Sequence, residues 1–599
     1  MCALPVRLPA GTYVSVANAV RLNKGGRTAV ILMRARMLGE LAGARSIIAT
    51  VADVPDLAET RAELTARGDL NEHVSLVNVF EDYRQRTHAL DGGEHALAPV
   101  PSGLVPTVET GAGGLPYRTT YRPGGSAADA DPVVVDHQRD DGSVFLRTTR
   151  HDGRTAYDVV APDGRVVRHH RSRSRLLHHW LGELVGDGDG FLITDSRKMV
   201  PSLLSFDDPR MHLVAAFHNP HTEQAGRWDA PLKGPYVPVL DNLASLDGLV
   251  LLTERQREEI ALRLGRTENL FVAANPVVPP TLPDPRPARD PKRLVAVARL
   301  EAQKRVAHTL RALQVALDTD PELRLDVYGD GPGRAGLERT AGELGIAHAV
   351  TFHGYDPGAR DRLLTASAFL VTSRYEGYPL ATLEAMSRGC PVISYDIKFG
   401  PREQISEGVD GFLVPDGDVR TFADRILAIT SDPERAARMS AAAYEKAAAH
   451  SPARFVEDWV QVFRAVKDQA ATRVRIHGAR LHGPGLRGDR LKGRLRMRVS
   501  GGSPTPDTAT ITVDVVGEST GDVVSFPVAF TPARLSPRVD GLALDATLDP
   551  RRTAEVLGDQ PVRVRLMVAW HNAAWQMPLG SGSTADGLLR LDPDEVAAR

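Results

Sequence analysis

The stretch Arg374-Tyr-Glu-Gly-Tyr-Pro-Leu-Ala-Thr-Leu-Glu-Ala-Met386 decides the fold of this chain. The apolar run 368–372 before it predicts a buried strand, and the Ala-, Leu- and Glu-rich residues after Pro379 predict a helix. Gly377 and Pro379 form the turn between them, and Pro379 suits the first helical turn, where its missing N–H is not needed. A strand, a tight turn and a helix leave free backbone N–H groups at the helix start, where anions bind.

Two carboxylates frame this turn. Glu376 precedes the predicted helix, and Glu384 lies eight positions further on, inside it. Carboxylate oxygens only accept hydrogen bonds, so beside an anion site they suit the hydroxyl groups of a sugar. On these residues alone, an ordinary βα unit with two surface glutamates explains the pattern equally well.

The stretch resembles the E-x7-E motif of retaining glycosyltransferases with two facing Rossmann-like domains, which is the GT-B fold of glycosyltransferase family 4. Segments 389–401 and 411–415 narrow the resemblance to bacterial poly(glycerol-phosphate) α-glucosyltransferases, which are teichoic acid glycosyltransferases, and to their protein-O-glycosylating relatives. The resemblance implies a UDP-sugar donor, a retaining transfer, no metal ion and no other cofactor. It leaves the sugar open, since UDP-glucose and UDP-N-acetylglucosamine both fit.

The pattern of elements predicts an α/β fold with two β-rich additions. Buried runs alternate with helical ones, Asp-Gly pairs recur every eleven residues from Asp141 to Gly164, and six prolines occupy 279–291. The last part of the chain reads as an independent β-sandwich. The predicted units are an N-terminal Rossmann-like domain (1–90 and 181–278), an inserted antiparallel β-meander (91–180), a linker (279–291), a C-terminal Rossmann-like nucleotide-sugar domain (292–470) and a β-sandwich-like accessory domain (471–599).

Besides Glu376, three candidate catalytic residues follow predicted strands. Arg299 and Lys304 come just after the strand 293–298, where two cations can hold a diphosphate leaving group, although bare charges are more often solvated surface. His218 follows the strand 212–217, at the end where open α/β sheets bind ligands, although a lone histidine there is more often structural. The resemblance assigns diphosphate binding to Arg299 and Lys304, and contact with the donor sugar to His218.

The resemblance also assigns the donor site. Glu376 would hold sugar hydroxyls and Glu384 the ribose hydroxyls, and a glycine-rich loop of the first domain would lie over the donor and acceptor. Lys398 and Arg402 are weaker anion candidates. The further donor-binding candidates are Gly377, Tyr378, Pro379, Leu380, Gly25 and Gly26.

Two basic segments suggest an anionic acceptor. Segment 165–179 combines five arginines with four histidines. A solvated strand edge explains it, but the density of guanidinium groups favours a phosphate-binding surface. A histidine metal site is disfavoured, because the arginines would repel the metal ion. Segment 490–498 places its cations on one face of a strand, where an ordinary solvent face is the alternative. The acceptor candidates are Arg168, Arg171, Arg173, Arg175, Arg490, Lys492, Arg494 and Arg496.

Composition narrows the setting. The net charge of −2 favours no polyanion globally, so no nucleic-acid partner is expected and an anion site must be local. Only two cysteines occur, which excludes a disulfide framework and a cysteine-based zinc site and suits a reducing cytoplasm. No apolar run reaches membrane-spanning length, and the first residues lack a signal-peptide pattern. We expect a cytoplasmic protein, with peripheral contact at the inner face of the membrane and homo-oligomer formation through the meander as further expectations.

Three alternatives remain open. The acceptor is either a polyol-phosphate chain or, as in the protein-glycosylating relatives, a serine or threonine of a protein. A small-molecule or lipid-linked acceptor is a weaker enzyme hypothesis. A catalytically inactive GT-B subunit is the alternative from another class, and the presence of Arg299, Lys304, Glu376 and Glu384 together argues against it.

Overall fold

The computed structural model describes residues 7–20, 26–54, 57–86, 95–111, 114–125, 131–204, 206, 208–223, 227–264, 268–472, 475–487, 489–500, 509–520, 522–536, 539–570 and 573–591. The first of these form parallel strands alternating with helices. Asn78 accepts hydrogen bonds from the N–H groups of Phe80 and Glu81 and caps a helix, so the strand that begins at Val74 ends at Asn78 although the apolar residues continue to Phe80. The elements are β1 (Thr12–Ala17), α1 (Gly26–Ala42), β2 (Ser46–Thr50), α2 (Ala58–Ala66), β3 (Val74–Asn78) and α3 (Val79–Gln85).

The predicted meander is an antiparallel sheet of seven strands in the order β4-β10-β9-β8-β7-β6-β5. Asp152 and Gly153 both have positive φ, 48° and 71°, as a two-residue hairpin turn requires. Its Phe145 and Val159 share one core with Val14 and Trp180 of the Rossmann-like domain. The strands are β4 (His95–Ala96), β5 (Leu104–Thr110), β6 (Pro116–Pro123), β7 (Val134–Gln138), β8 (Val144–His151), β9 (Arg154–Val160) and β10 (Arg165–His170).

After the meander the chain returns to the first domain and completes a sheet of seven parallel strands, in the order β14-β13-β12-β11-β1-β2-β3. The carboxyl ends of its strands meet at one edge of this sheet, which faces the second domain. The added elements are α4 (Arg173–Val185), β11 (Gly190–Thr194), α5 (Val200–Leu203), β12 (Met211–Ala216), α6 (Val237–Leu240), β13 (Gly248–Leu251), α7 (Glu254–Leu264) and β14 (Leu270–Val272).

The second Rossmann-like domain has six parallel strands in the order β17-β16-β15-β18-β19-β20. Its final helix crosses back to the first domain, where Phe463 contacts the rings of Tyr13 and Phe191. The elements are β15 (Asp290–Val297), α8 (Val306–Leu317), β16 (Arg324–Tyr328), α9 (Arg334–Glu343), β17 (Val350–Gly354), β18 (Ala366–Val371), α10 (Leu380–Met386), β19 (Val392–Tyr395), α11 (Pro401–Gln404), β20 (Gly411–Val414), α12 (Val419–Thr430), α13 (Pro433–Ala448) and α14 (Pro452–Thr472).

The predicted β-sandwich consists of two antiparallel sheets, β21-β22-β26-β25 and β24-β23-β27-β28-β29, packed on one apolar core. The sandwich has a hydrophobic core of its own, and it also contacts the first Rossmann-like domain. Asp241 of the first domain lies 3.6 Å from Arg563 and 3.4 Å from Arg565, and Arg263 donates to the carbonyl of Thr520 at 3.1 Å. The elements are β21 (Arg475–Arg487), β22 (Arg490–Ser500), β23 (Ala509–Gly517), β24 (Val523–Pro527), β25 (Ala529–Ser536), β26 (Val539–Thr547), α15 (Pro550–Leu557), β27 (Gln560–Trp570), β28 (Ala573–Ala585) and β29 (Leu588–Leu591).

Among the described residues, no helix combines the length and the apolar character needed to cross a bilayer.

Candidate active site

Lys304 and Glu376 meet at the edge of the second domain that faces the first. Lys304 ends a short 3-10 turn after β15, and Glu376 follows β18; these two strands are neighbours, so their carboxyl ends lie side by side. The Lys304 Nζ lies 2.6 Å from the Glu376 Oε1, and Glu376 is only 9% exposed. A charge-assisted hydrogen bond of this length fixes both side chains at the wall of the cleft.

Backbone hydrogen bonds hold Glu376 from two sides. Its N–H donates to the carbonyl of Lys398 at 3.1 Å, and its carbonyl accepts from the N–H of Phe399 at 2.8 Å. On the other side, the Gln303 side chain donates to the carbonyl of Tyr375 at 2.9 Å. The carboxylate therefore sits on a loop whose position is set by both neighbouring segments of the sheet edge.

A buried charge network orients His218 on the opposite wall. Asp195, directly after β11, accepts from the His218 Nε2–H at 2.6 Å and from both Arg34 terminal nitrogens at 2.9 and 2.6 Å. Burial alone would raise the pKa of Asp195, but Arg34 and His218 outweigh it and hold this pKa below its ordinary value. The ionised Asp195 accepts from the His218 Nε2–H and so fixes the ring, and the Nδ1 of His218 makes no hydrogen bond with the residues that the structure describes.

The two walls touch at Gly377. A Cβ placed on this glycine would lie 1.8 Å from the carbonyl oxygen of His218 and 3.2 Å from the backbone nitrogen of Asn219. Only a glycine permits this approach of two backbones, so its role is steric. The contact brings Glu376 and His218 to opposite sides of one narrow cleft.

Two further ionic contacts join the domains. The ammonium of Lys398 is buried and lies 2.6 Å from the Glu259 Oε1 on α7. Glu403 on α11 accepts from the N–H groups of Glu254 at 3.1 Å and Arg255 at 3.2 Å, and so caps the start of α7 across the domain boundary. Lys398 therefore serves the domain interface rather than an anion, which corrects the sequence prediction. Arg402, the other weak candidate, pairs with Asp396.

The side chains of the remaining donor-site candidates each have a partner other than the Lys304–Glu376 pair. The guanidinium of Arg299 is 68% exposed and pairs with Glu301 at 2.7 Å, apart from the Lys304–Glu376 pair. Glu384 lies on α10, and its carboxylate pairs with the guanidinium of Arg360 at 2.9 Å. Tyr378 turns its ring into the domain core and its hydroxyl lies 3.1 Å from the His450 Nδ1, which leaves its backbone as the group available to a donor.

The backbone candidates lie at the start of two helices. Pro379 occupies the N-cap position of α10 rather than its first turn, and Leu380 is the first helical residue. Gly26 begins α1. Gly25 lies outside the described residues.

The acceptor candidates of the meander lie on more than one element, rather than on a single strand edge. Arg168 lies on β10, Arg171 in the bend after it, and Arg173 and Arg175 in the first turn of α4. Arg173 donates to the carbonyl of Val51 at 2.8 Å and thereby ties α4 to the first domain. The histidines nearby are paired or buried, and the described residues include no group of three or more His, Cys, Asp or Glu side chains that could hold a metal ion.

The predicted alternation in β22 is confirmed. Four of its five cations are exposed, whereas Leu491, Leu495 and Met497 are fully buried in the sandwich core; the side chain of the fifth, Arg498, lies outside the described ones. Opposite them, β21 adds the exposed Arg480 and His482. The exposed cations of β22 are Arg490, Lys492, Arg494 and Arg496; we call these four, with Arg480, the basic face.

Arg34 and Asp195 were missed by sequence reasoning. Asp195 directly follows a predicted strand, which is the same signal that singled out His218. Arg34 lies in a helix among many arginines, and nothing local distinguishes it.

The buried His221 predicts a dependence of stability on pH. Burial, followed by Arg263, Lys398 and Lys233, lowers the pKa of His221 to about 3, so the folded protein keeps it neutral while the unfolded chain protonates it near pH 6.5. The unfolded state then binds more protons, and this histidine removes up to about 1.4 kcal/mol of stability per pH unit as the pH falls from 6.5 towards 3.

The thermal unfolding midpoint of wild type and His221→Gln, measured from pH 7.5 to 5, checks this expectation. The wild-type midpoint should fall more steeply than that of the variant. His137, whose pKa burial lowers to about 4, titrates in both proteins and so cancels in the comparison. Parallel curves would contradict the assignment.

Known proteins are similar to this chain in sequence. Residues 282–446 match the family described as "Glycosyl transferases group 1". The chain is 23% identical to the poly(glycerol-phosphate) alpha-glucosyltransferase of Bacillus subtilis (strain 168), over 76% of this chain and 75% of the relative. It is 25% identical to the GtfA subunit of the UDP-N-acetylglucosamine–peptide N-acetylglucosaminyltransferase of Streptococcus gordonii, over 55% of this chain and 69% of the relative.

A solved structure extends the likeness to the fold. A mutant of S. aureus TarM, in complex with Fondaparinux, alpha-GlcNAc-glycerol and UDP, superposes with a TM-score of 0.57 at 19% identity, covering 76% of this chain and 100% of that one. The predicted two-domain fold with its β-rich additions is confirmed. The chain is therefore a glycosyltransferase of the GT-B fold, and its residues 282–446 form a glycosyl transferases group 1 domain.

Proposed function

We propose that this enzyme moves a hexose, glucose or N-acetylglucosamine, from a UDP-sugar to a hydroxyl of a polyol-phosphate acceptor of the teichoic-acid type. The observation that carries the proposal is the cleft in which Lys304 and Glu376 face His218, held by Asp195. Its relative from Bacillus subtilis is named for a poly(glycerol-phosphate) acceptor, and S. aureus TarM was solved with UDP and a GlcNAc-glycerol. This pairing of a UDP donor with a polyol acceptor supports the same chemistry here.

The mechanism follows from where the charges lie. Lys304, with Arg299 at the rim, stabilises the negative charge that develops on the departing UDP diphosphate, and the backbone N–H groups after Gly377 add to this stabilisation. Glu376 and His218 hold hydroxyls of the donor sugar, and Glu384 holds those of the ribose. The new bond forms on the face the diphosphate leaves, a phosphate oxygen takes the acceptor proton, and configuration is retained. Protein cations replace a metal ion in this scheme.

UDP release from a panel of UDP-sugars, with and without purified poly(glycerol-phosphate), tests the proposal. We expect release with one donor that the polymer stimulates and that Glu376→Ala abolishes. Turnover without stimulation by the polymer would refute the acceptor. No turnover with any donor, despite UDP binding, would favour a non-catalytic subunit.

A protein acceptor is the second candidate, because the relative from Streptococcus gordonii is named for a peptide acceptor. High salt discriminates the two acceptors: capture of a polyphosphate chain weakens steeply as its charges are screened, whereas contacts with a neutral serine-rich peptide do not. We place the reaction in the cytoplasm, with peripheral contact at the inner face of the membrane, where UDP-sugars and a growing polymer meet.

The basic face of the sandwich should help to hold the polymer. The double substitution Arg494→Gln/Arg496→Gln is expected to raise the KM for poly(glycerol-phosphate) about three- to tenfold at low salt, because it removes two exposed cations that form no ion pair with the described residues. The KM for a single glycerol phosphate should not change. Arg551→Gln/Arg552→Gln, two exposed cations on α15 of the same domain, is the matched control. An equal effect of both double substitutions would contradict a specific surface.

The edge strand β5 should mediate self-association. It pairs only with β6 among the described strands, and its Val105 and Val108 are 56% and 59% exposed, which leaves an open edge with apolar side chains. Analytical ultracentrifugation should show an oligomer that Val108→Lys converts to monomer. Val523→Lys, at an exposed valine of the sandwich, should leave the oligomer intact. A monomeric wild type would contradict this role of the meander.

A further inference from the structure

Two cations of the first domain lie beside the cleft and have no role in the mechanism above. Arg197 is two residues beyond Asp195, and Lys233 lies in the loop between His218 and α6. Both are partly buried. Neither forms an ion pair within 4 Å with any carboxylate of the described residues.

Aromatic rings hold both cations in place. The Nζ of Lys233 lies 4.7 Å from the centre of the Tyr375 ring, which belongs to the opposite domain and precedes Glu376. The guanidinium carbon of Arg197 lies 4.2 Å from the ring of Tyr236, whose hydroxyl donates to the carbonyl of Asn219, next to His218, at 3.1 Å. Each charge is therefore anchored by a ring whose residue is next to, or hydrogen-bonded next to, a residue of the candidate site.

The electrostatics of the pair favour an anion. Burial lowers the pKa of Lys233; Glu223 raises it at longer range, and Arg197 lowers it further. Two like charges beside a partly desolvated cleft are costly until an anion lies between them. Arg197 offers the planar fork that matches a phosphate, and Lys233 adds a point charge.

We propose that Arg197 and Lys233 form a subsite for the acceptor phosphodiester next to the hydroxyl that receives the sugar. The inference rests on the proposed function and extends it. The donor diphosphate already has Lys304 and Arg299 on the second domain, so the cations of the first domain remain for the acceptor. One phosphate held beside His218 would place the adjacent polyol hydroxyl at the donor sugar.

The experiment compares Arg197→Gln, Lys233→Gln and the double variant with wild type, all as the full chain. With poly(glycerol-phosphate) as acceptor, we expect kcat/KM for the acceptor to fall about 10- to 100-fold. The KM for the UDP-sugar and the slow release of UDP without acceptor should stay within twofold. Lys233→Arg should retain most activity, since it keeps the charge.

A pair of small acceptors separates a phosphate contact from a general loss of packing. Wild type should prefer glycerol 3-phosphate over glycerol, and the double variant should lose this preference. Lys467→Gln is the matched control: it removes a partly exposed lysine that pairs with Asp189 at the opposite edge of the same sheet.

The possible outcomes distinguish failure of the phosphodiester subsite from failure of the proposed glycosyltransferase function. Wild type that does not glycosylate the polymer overturns both. Wild type that does, with variants that keep their preference for the phosphorylated acceptor, overturns the subsite alone. A rise in the KM for the UDP-sugar equal to that for the acceptor would assign the pair to the donor instead and also overturn it.

Discussion

Replacing Lys304 with methionine lowers kcat for sugar transfer about 1,000-fold, while the KM for the UDP-sugar changes by much less. The ammonium acts mainly on charge that develops on the leaving diphosphate, and loss of one such donor in an enclosed site typically costs 100- to 1,000-fold in rate. In this chain the loss is at the upper end, because the buried Glu376, which pairs with Lys304 at 2.6 Å, is left without its cation beside the leaving phosphates.

Steady-state UDP release with saturating acceptor measures this effect. Lys292→Met is the matched control: this lysine precedes the core of the same strand, β15, and pairs with Asp320 away from the cleft, so its loss should leave kcat within twofold. Glu376→Gln should also lose 100-fold or more, and the double variant should lose much less than the product of the single effects, because both residues act as one unit. A loss below tenfold in Lys304→Met would contradict the proposed leaving-group role.

Gly377→Ala should lower kcat/KM about 100-fold without weakening UDP binding. The new Cβ would lie 1.8 Å from the carbonyl oxygen of His218, and real Cβ contacts essentially never fall below 3.0 Å. Backbone on both sides cannot yield, so the domains must separate by roughly an ångström, and a misplacement of that size can cost 100-fold in rate. UDP should still bind within threefold, because its binding groups belong to the second domain.

Kinetics and calorimetric titration with UDP check the two halves of this expectation. Gly342→Ala is the matched control: it lies in the helix α9, nothing lies within 4 Å of its added Cβ, and the change should stabilise the helix by about 0.5–1 kcal/mol. Small-angle scattering should report a more open Gly377→Ala enzyme. Full activity in this variant would mean that the closed contact is not part of the reacting state.

Much of this architecture could be predicted from local sequence. Most parallel strands at the centre of the two Rossmann-like sheets coincide with an apolar run, because a strand buried on both faces needs no polar alternation. The edge strand β17 and its neighbour β16 alternate instead, with one face partly exposed. The pair Lys304 and Glu376 could also be expected to meet, since both follow strands that end at the same edge. The alternation in β22 required only a period of two.

The rest depended on contacts distant in sequence. Arg34 and Asp195 are 161 residues apart, and only the packing of α1 on the sheet brings them together. The basic run 165–179 was interpreted as one surface, but it is divided between β10 and α4. The helix α4 begins within the run because the hydroxyl of Ser172, its N-cap, accepts from the N–H of Arg175. The sequence suggested that Lys398 contacts an anion. Its partner, Glu259, belongs to the other domain, and local sequence could not indicate this contact.

The attachment of the sandwich to Asp241 and Arg263 has a consequence for how the enzyme works along a polymer. Both anchors belong to the first domain, and α14 leads into the sandwich along that same domain. The sandwich therefore moves with the acceptor half when the cleft opens to exchange UDP for a fresh donor. On the proposed polymer acceptor we therefore expect processive transfer, in which neighbouring repeats receive sugars in runs rather than at scattered positions.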